Sequence, residues 1–258
     1  MYVLSGPPSS HDPLLGPWEF VGPIRGALNH WSIDGTVFEL DHALYYVYSG
    51  WPRDNTNDSD LVQELFIQSL SDPVTASSAP VRISRPELPF EWTDDHGINE
   101  GPQFLASQDG SWRGIVYSCA GSWTKDYKEN TLAYTGGDPL QPGSWRKGQK
   151  PLIQDNGGRK GPFGPGHGCF LHVGNETVHV YHATDREGDG WAGRKARVQR
   201  VAFGSAGPDM GGVVGPRVGT FEEFIGGSAG YGHGDGHGSG DHKKHGLKAW
   251  LQRVRDEL

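Results

Sequence analysis

The chain has 258 residues, a formal net charge of −8 and no run of about 18 apolar residues. A chain of this length can bury a substantial core as one large domain. The acidic balance argues against nucleic acid and anionic membranes as partners, because both bind basic surfaces. The lack of a long apolar run excludes a membrane-spanning helix.

The composition is that of an all-β protein. It includes 40 Gly, 18 Pro, 9 Trp, 9 Tyr and 10 Phe, which is typical of short strands joined by many turns. Cys119 and Cys169 each lie in an apolar, strand-like run, and we expect two buried free thiols. Residues 1–13 lack the basic start and apolar stretch of a secretory signal, so the sequence as written leaves the localisation unknown.

Three segments of the chain share one pattern. Each begins with a polar residue among small residues, continues through a Phe and a turn, and ends in an apolar strand that contains Tyr. The polar residues are Asp34, Glu100 and His167, which stand 66 and 67 residues apart; the segments are 33–51, 99–123 and 166–183.

An Asp-Pro pair gives a second landmark, at Asp12, Asp72 and Asp138. Asp72 follows Asp34 by 38 residues, and Asp138 follows Glu100 by the same number. Two landmarks in register favour the four-stranded blades of a β-propeller, although the period exceeds that of common propeller repeats. A β-sandwich with coincidental strand spacing is the alternative.

The first strand of a blade lines the central channel, so we expect Asp34, Glu100 and His167 to converge at one end of it. By the same register, the channel residue that should precede Asp12 would lie before Met1. We therefore predict that residues 1–225 form an incomplete propeller of about three and a half blades, beginning at the third strand of a blade. Residues 226–246 are a Gly/His-rich, disordered linker by composition, and 247–258 a short amphipathic helix.

Two carboxylates in an aromatic-rich channel suit glycoside hydrolysis, in which one protonates the leaving oxygen. An ionised neighbour raises the pKa of that acid, because two like charges resist coexisting. Glu100, beside Gly101 and Pro102, is the more accessible acid. Asp34 is hemmed in by bulky side chains and is better placed to orient and tune. An ordinary turn aspartate and a solvated loop glutamate are the plain alternatives.

His167 lies among glycines and prolines in a loop that a ligand could approach closely. It could bind a metal ion or a sugar hydroxyl, or it could satisfy a buried carbonyl. Four tryptophans lie near strand ends. We keep Trp31 and Trp51 as candidates for stacking on a sugar, and we expect Trp123 and Trp191 to belong to the core between blades.

Together, six motifs resemble those of glycoside hydrolase family 43. They are GPWEF (16–20), HWSIDGTVF (30–38), INEGP (98–102), GPGHGCF (164–170), VYHA (180–183) and GRKARVQ (193–199). Members of this family are five-bladed propeller enzymes that act on arabinose- and xylose-containing polysaccharides. The resemblance covers roughly residues 2–225, and it is closest to the α-L-arabinofuranosidase-like members. It implies a secreted protein.

The resemblance implies an inverting mechanism with three acidic residues. Glu100 matches the general acid, and Asp34 matches the residue that orients this acid and tunes its pKa. His167 matches a position that often helps to hold a calcium ion in the channel; no other cofactor is implied. Arg194 matches an arginine near the substrate and the tuning aspartate, although it could also be an ordinary charge at a strand edge.

The sequence departs from the family pattern at the general base, an aspartate on the first blade. No residue here corresponds to it, since Asp12 aligns with the turn residues Asp72 and Asp138. At this period the missing part would be on the order of 100 residues. Without the base we expect hydrolysis to fall by about 10²–10⁴-fold or more.

The leading hypothesis is an exo-acting α-L-arabinofuranosidase whose substrate is arabinan or arabinoxylan. The alternatives are a β-xylosidase, an endo-arabinanase and a non-catalytic sugar-binding propeller. The missing base favours the last of these, and the retained Glu100 and Asp34 argue against it.

Overall fold

A computed structural model describes residues 1–8, 12, 15–27, 30–53, 62–155 and 161–213. Their regular structure consists of β-strands and of 3-10 segments of three or four residues. None of these helical segments has the length and hydropathy needed to cross a membrane. The predicted linker at 226–246 and helix at 247–258 lie outside the described residues.

The first half of the chain forms a two-stranded antiparallel sheet and then a larger sheet, blade A. The two-stranded sheet consists of β1 (Tyr2–Ser5) and β2 (Glu19–Pro23). Blade A consists of β3 (Ser32–Leu40), β4 (Ala43–Gly50), β5 (Glu64–Asp72), β6 (Thr75–Ala76) and β7 (Val81–Ser84), and both β6 and β7 pair with β5. The short pair β8 (Trp92–Thr93) and β9 (His96–Gly97) follows.

The second half forms two further sheets, blade B and blade C. Blade B contains β10 (Asn99–Ala106), β11 (Arg113–Cys119), β12 (Lys128–Tyr134), β13 (Trp145–Lys147) and β14 (Ile153–Gln154). Blade C contains β15 (Phe163–Val173), β16 (Glu176–Thr184), β17 (Arg194–Gly204) and β18 (Gly207–Asp209). The last described strand, β19 (Gly212–Val213), returns to blade B and runs parallel to β14.

The core lies between the blades, because the second strands of blades A and B place apolar side chains on both faces of their sheets. Successive side chains of a strand point to opposite faces of its sheet. On β4, Tyr45 and Val47 pack into the layer between blades A and B, whereas Tyr46 packs towards β1 and β2. On β11, Tyr117 packs against blade A and Val116 against blade C. Strands covered on both faces read as continuous apolar runs, which is why the repeat was visible in the sequence.

The first strands of the three blades lie side by side around one axis, since β10 contacts both β3 and β15. This succession of sheets is an incomplete β-propeller, with three blades and two two-stranded sheets among the described residues. The predicted fold class is confirmed. The β-sandwich alternative is wrong, because the sheets follow one another around an axis and do not pack as a single face-to-face pair.

The Asp-Pro landmarks occupy equivalent turns. In both Asp72 and Asp138, Oδ1 accepts a hydrogen bond at 2.9 Å from the backbone N–H two residues later. The prediction for the cysteines was half right. Both are free thiols, and Cys119 is buried, but Cys169 is exposed because the inner strand β15 has a face that the described sheets leave uncovered.

Candidate active site

Each inner strand is interrupted by a β-bulge at the same end of its blade. The pairing register shifts between Ile33 and Thr36 on β3, between Glu100 and Gln103 on β10, and around Gly166 on β15. One residue in each bulge has a left-handed backbone conformation: Asp34 (φ 57°), Gly101 (φ 56°) and His167 (φ 51°). Bulges of this kind turn a side chain out of the strand's regular alternation.

The positions of the bulges show that the predicted repeat is off by one residue in blade B. The structural repeat runs through Asp34, Gly101 and His167, so Glu100 comes one position before its expected place. The strand pairing agrees, because Glu100 lies opposite Ser118, just as Ile33 lies opposite Ser49. A glycine therefore takes the left-handed position in blade B, and the carboxylate comes from the residue in front of it.

The structure nevertheless brings the three polar side chains together. One ligand atom from each of Asp34, Glu100 and His167 lies within 4.8 Å of the other two. Asp34 accepts a hydrogen bond at Oδ2 from the backbone N–H of Gly101 at 3.1 Å. Its Oδ1 lies 3.6 Å from Nε2 of His167. Blade B therefore holds one oxygen of Asp34, and the other oxygen faces His167 of blade C.

Glu100 is buried, and a buried tyrosine holds one of its oxygens. The hydroxyl of Tyr127 donates to Glu100 Oε1 at 2.7 Å. Burial, the largest effect, raises the pKa of Glu100, and the charge of Asp34 raises it further. The Tyr127 hydrogen bond and the charges of His167 and Arg194 oppose that rise without cancelling it. The raised pKa favours the protonated carboxyl, which is the form that a general acid needs.

Tyr127 and His182 are site residues that the sequence analysis missed. Tyr127 precedes β12, the third strand of blade B, and its hydroxyl also lies 3.3 Å from Nδ1 of His167. The ring of His182 stacks on that of Tyr127, with centroids 5.5 Å apart. Burial, helped by the charges of Arg194 and His167, lowers the pKa of His182 to about 4, so its ring is neutral. The repeat considered only first strands, and it carried no signal for either residue.

The remaining predicted binding residues are Trp31, Trp51 and Arg194. Trp31 and Trp51 stack on each other with centroids 4.7 Å apart, and 37% of Trp31 is exposed. Arg194 begins β17, and its Nη2 donates to the backbone oxygen of Ser122 at 3.0 Å. Its positive charge acts on Glu100 and His182.

The expectation that Trp123 and Trp191 belong to the core was wrong. They are 42% and 61% exposed. Both lie in loops that join the second and third strands of a blade, beyond the ends of the sheets, where they contact each other and are not enclosed by the core.

The predicted calcium ion fits the donors around His167 poorly. Calcium takes six to eight oxygen ligands, whereas the cluster offers two carboxylates and an imidazole. Both ring nitrogens of His167 already face protein groups, Tyr127 and Asp34, and Oε1 of Glu100 is engaged by Tyr127. Calcium at this position stays a prediction, and no catalytic step is assigned to it.

Comparison with known proteins places this site in a family. The model for "Glycosyl hydrolases family 43" matches residues 6–207. An extracellular exo-α-(1→5)-L-arabinofuranosidase of Streptomyces chartreusis is 31% identical over 186 residues, covering 68% of this chain and 52% of that protein. α-L-Arabinofuranosidase B of Pyricularia oryzae is 30% identical over 218 residues, covering 81% and 43%. The chain thus spans about half the length of the curated relatives that it matches.

Solved structures agree with this assignment. The α-L-arabinofuranosidase of Lactobacillus brevis matches with a TM-score of 0.66 and 28% identity, covering 77% of this chain and 61% of that one. A thermostable family-43 glycoside hydrolase, at 23% identity and a TM-score of 0.65, shares the fold over 78% of this chain and 64% of its own. Together with the propeller described above, these matches show that the chain belongs to glycosyl hydrolase family 43.

Proposed function

We propose that this protein is a glycoside hydrolase that removes terminal α-L-arabinofuranosyl units from arabinan or arabinoxylan. The observation that carries the proposal is the buried Glu100, whose pKa is raised beside Asp34 and whose Oε1 accepts from Tyr127. The arabinofuranosidase relatives, at about 30% identity, support the choice of sugar. The α-L-arabinofuranosidase from Lactobacillus brevis supports it as well.

Glu100 acts as the general acid in this proposal. Because Tyr127 occupies Oε1 as a donor, Oε1 is the acceptor oxygen and the acidic proton resides on Oε2. As the bond between the anomeric carbon and the leaving oxygen breaks, this proton passes from Oε2 to the leaving oxygen. Tyr127 keeps its own proton, since burial and the nearby Glu100 charge raise its pKa well above the ordinary value.

Asp34 tunes and orients Glu100 and does not serve as the base. In inverting enzymes the acid and base carboxyls stand about 6.5–9.5 Å apart to leave room for the attacking water. Asp34 and Glu100 have oxygens within 4.8 Å of each other, which is too close for that arrangement. The N–H of Gly101 fixes the Asp34 carboxylate beside Glu100, as an orienting role requires.

The base that activates the water is the one role that this cluster leaves unfilled, since among the described residues the group contains Asp34, Glu100 and His167 and no third carboxylate. We assign sugar recognition to the side chains around it. The Trp31–Trp51 stack offers an aromatic face at the rim of blade A. Arg194 uses Nη2 on the backbone oxygen of Ser122, and its remaining N–H groups can donate to sugar hydroxyls.

The proposal is tested by following arabinose release from α-1,5-linked arabinobiose. Since the cluster of described residues has no carboxylate besides Asp34 and Glu100, we expect slow hydrolysis. Added azide should speed cleavage of the glycosidic bond by attacking the anomeric carbon in place of water, so that arabinosyl azide forms and arabinose leaves with the proton of Glu100. Glu100→Gln should reduce both reactions by about 10²-fold or more. Glu64→Gln, which changes another buried glutamate that faces Arg82 and Arg85, should preserve them.

Other outcomes would replace the proposal. Binding of arabinobiose without turnover, with or without azide, would identify a sugar-binding propeller. Faster release of xylose from β-1,4-xylobiose than of arabinose from arabinobiose would identify a β-xylosidase.

A further inference from the structure

Three loops at the active-site end of the blades each carry a tryptophan. They join the second strand of a blade to the third, and they hold Trp51 in blade A, Trp123 in blade B and Trp191 in blade C. Their position follows from the pairing, because Glu100 lies opposite Ser118 near the end of β11, just before the loop that contains Trp123. Trp51 stacks on Trp31, whereas the other two tryptophans meet each other.

Trp123 and Trp191 form a right-angled aromatic corner. Their rings lie 82° apart with centroids separated by 6.4 Å, so each keeps a broad surface open to solvent. The His96 ring meets Trp123 edge-on at 5.8 Å and closes one side of the corner. A contiguous exposed apolar surface is a common mark of a ligand-binding site.

Hydrogen bonds hold this corner in place. Ser122 accepts from Trp191 Nε1 at its hydroxyl, at 3.2 Å. The preceding turn is pinned by Gly121, whose N–H donates to Thr93 Oγ1 at 2.7 Å. A Cβ at Gly121 would lie 2.8 Å from the Trp123 ring, so the indole packs against this glycine in the space that a side chain would fill. Both rings are therefore fixed before a ligand arrives, which reduces the entropy lost on binding.

Ser122 and Arg194 link the corner to the catalytic cluster. The backbone oxygen of Ser122 accepts from Arg194, whose charge acts on Glu100. The corner thus belongs to the side of the site where blades B and C supply Glu100 and Arg194. The Trp31–Trp51 stack belongs to blade A, on the side of Asp34.

We propose that the corner formed by Trp123 and Trp191 binds the sugar ring on the leaving side of the scissile bond. The C–H faces of that ring pack against the two indoles while Glu100 protonates the oxygen that the ring carries away. This inference rests on the proposed function, because the leaving side is defined by Glu100 as the acid. It makes the corner a determinant of oligosaccharide affinity, separate from recognition of the terminal arabinose.

Binding is measured by isothermal titration calorimetry in the Glu100→Gln background, with α-1,5-linked arabinotriose and with arabinose as ligands. Trp123→Ala and Trp191→Ala should each weaken arabinotriose binding about five- to tenfold, the order expected for one ring contact, and leave arabinose binding unchanged. Trp191→Phe should keep most of the affinity. Leu171→Ala, which removes another exposed apolar side chain at the opposite end of blade C, should change neither.

If the parent and both tryptophan variants bind arabinotriose equally well, the proposal that the corner binds sugar is wrong, even if the parent hydrolyses arabinobiose. A different result would separate the two proposals. If the protein hydrolyses no arabinoside but Trp191→Ala still weakens arabinotriose binding, the corner is a sugar site and the proposed hydrolysis is wrong. Weaker binding of arabinose itself would also overturn the proposal, since it would place the corner at the terminal sugar.

Discussion

The hydroxyl of Tyr127 donates to Oε1 of Glu100 at 2.7 Å, and both residues are buried. The same bond occurs a second time in the molecule. Tyr117, also fully buried, donates to Oε1 of Glu91 at 2.7 Å, but Glu91 belongs to a structural network and not to the channel cluster. The two pairs allow the catalytic and the structural effects of one interaction to be separated.

Tyr127→Phe should move the alkaline limb of the pH–rate profile to higher pH. The Tyr127 hydrogen bond lowers the pKa of Glu100 by favouring its ionised form, so its removal lets that pKa rise further. We expect a shift of about one pH unit, together with a lower kcat because the proton is no longer confined to one oxygen. The measurement is kcat/KM against pH for arabinobiose.

Tyr117→Phe is the control for this experiment. It should reduce the free energy of unfolding by about 1–3 kcal/mol, because it leaves a buried carboxylate one hydrogen bond short. The limb of the pH–rate profile should stay in place. Equal shifts in the two variants would show that Tyr127 acts only through stability.

Asp34→Asn should move the same limb in the opposite direction. The charge of Asp34 raises the pKa of Glu100, and asparagine removes that charge while its Oδ1 can still accept from Gly101. Less of Glu100 is then protonated near neutrality, so kcat/KM falls most at the alkaline end. An unchanged limb would exclude the tuning role of Asp34.

Glu91→Gln should destabilise the fold by about 3 kcal/mol near neutral pH. Glu91 is fully buried, and both of its oxygens lie 3.0 Å from Nζ of Lys147, which the variant would leave without its carboxylate. Burial raises the pKa of Glu91, but the N–H groups of Leu88 and Glu87, the Tyr117 hydroxyl and the Lys147 charge together hold it below 4.5.

A carboxyl whose folded pKa is depressed stabilises the fold above its unfolded pKa, and this contribution is lost as the pH falls through the folded value. The difference between parent and Glu91→Gln should therefore be largest above pH 4.5 and shrink in stronger acid. Urea unfolding at about pH 7 and about pH 3 measures it. A difference that grows towards acid would contradict this sign.

Ile67→Ala tests the layer between blades A and B. Ile67 is fully buried on β5, and its truncation should cost about 2–5 kcal/mol in urea unfolding. Val37→Ala on β3 of the same blade is the control, because Val37 is 45% exposed, and it should cost less than about 0.5 kcal/mol. Similar losses would mean that the core does not lie between the blades.

The propeller and the meeting of Asp34, Glu100 and His167 could be predicted because both follow from periodic features. Strands such as β4 and β11 are buried on both faces and read as apolar runs, and each inner strand carries a polar residue at its bulge. The one-residue offset of Glu100 could not be predicted. A bulge moves a residue by one position in the strand pairing, and in the sequence this changes the distance between repeats by only one residue.

Tyr127 and the exposed tryptophans could not be predicted, for a different reason. Tyr127 reaches the channel from the start of a third strand, and only the absence of a side chain at Gly166, where a Cβ would collide with its ring, allows that approach. Trp123 and Trp191 are of a residue type that is common in cores, and only the position of their loops in the folded chain leaves them exposed.

The role of Glu100 as general acid is tested most directly by changing the leaving group. A dinitrophenolate departs without a proton, whereas the sugar alcohol released from arabinobiose needs one. Glu100→Gln should reduce the turnover of arabinobiose by about 10²-fold or more and leave that of 2,4-dinitrophenyl α-L-arabinofuranoside within about tenfold of the parent. Equal losses on the two substrates, or no loss on arabinobiose, would contradict the assignment.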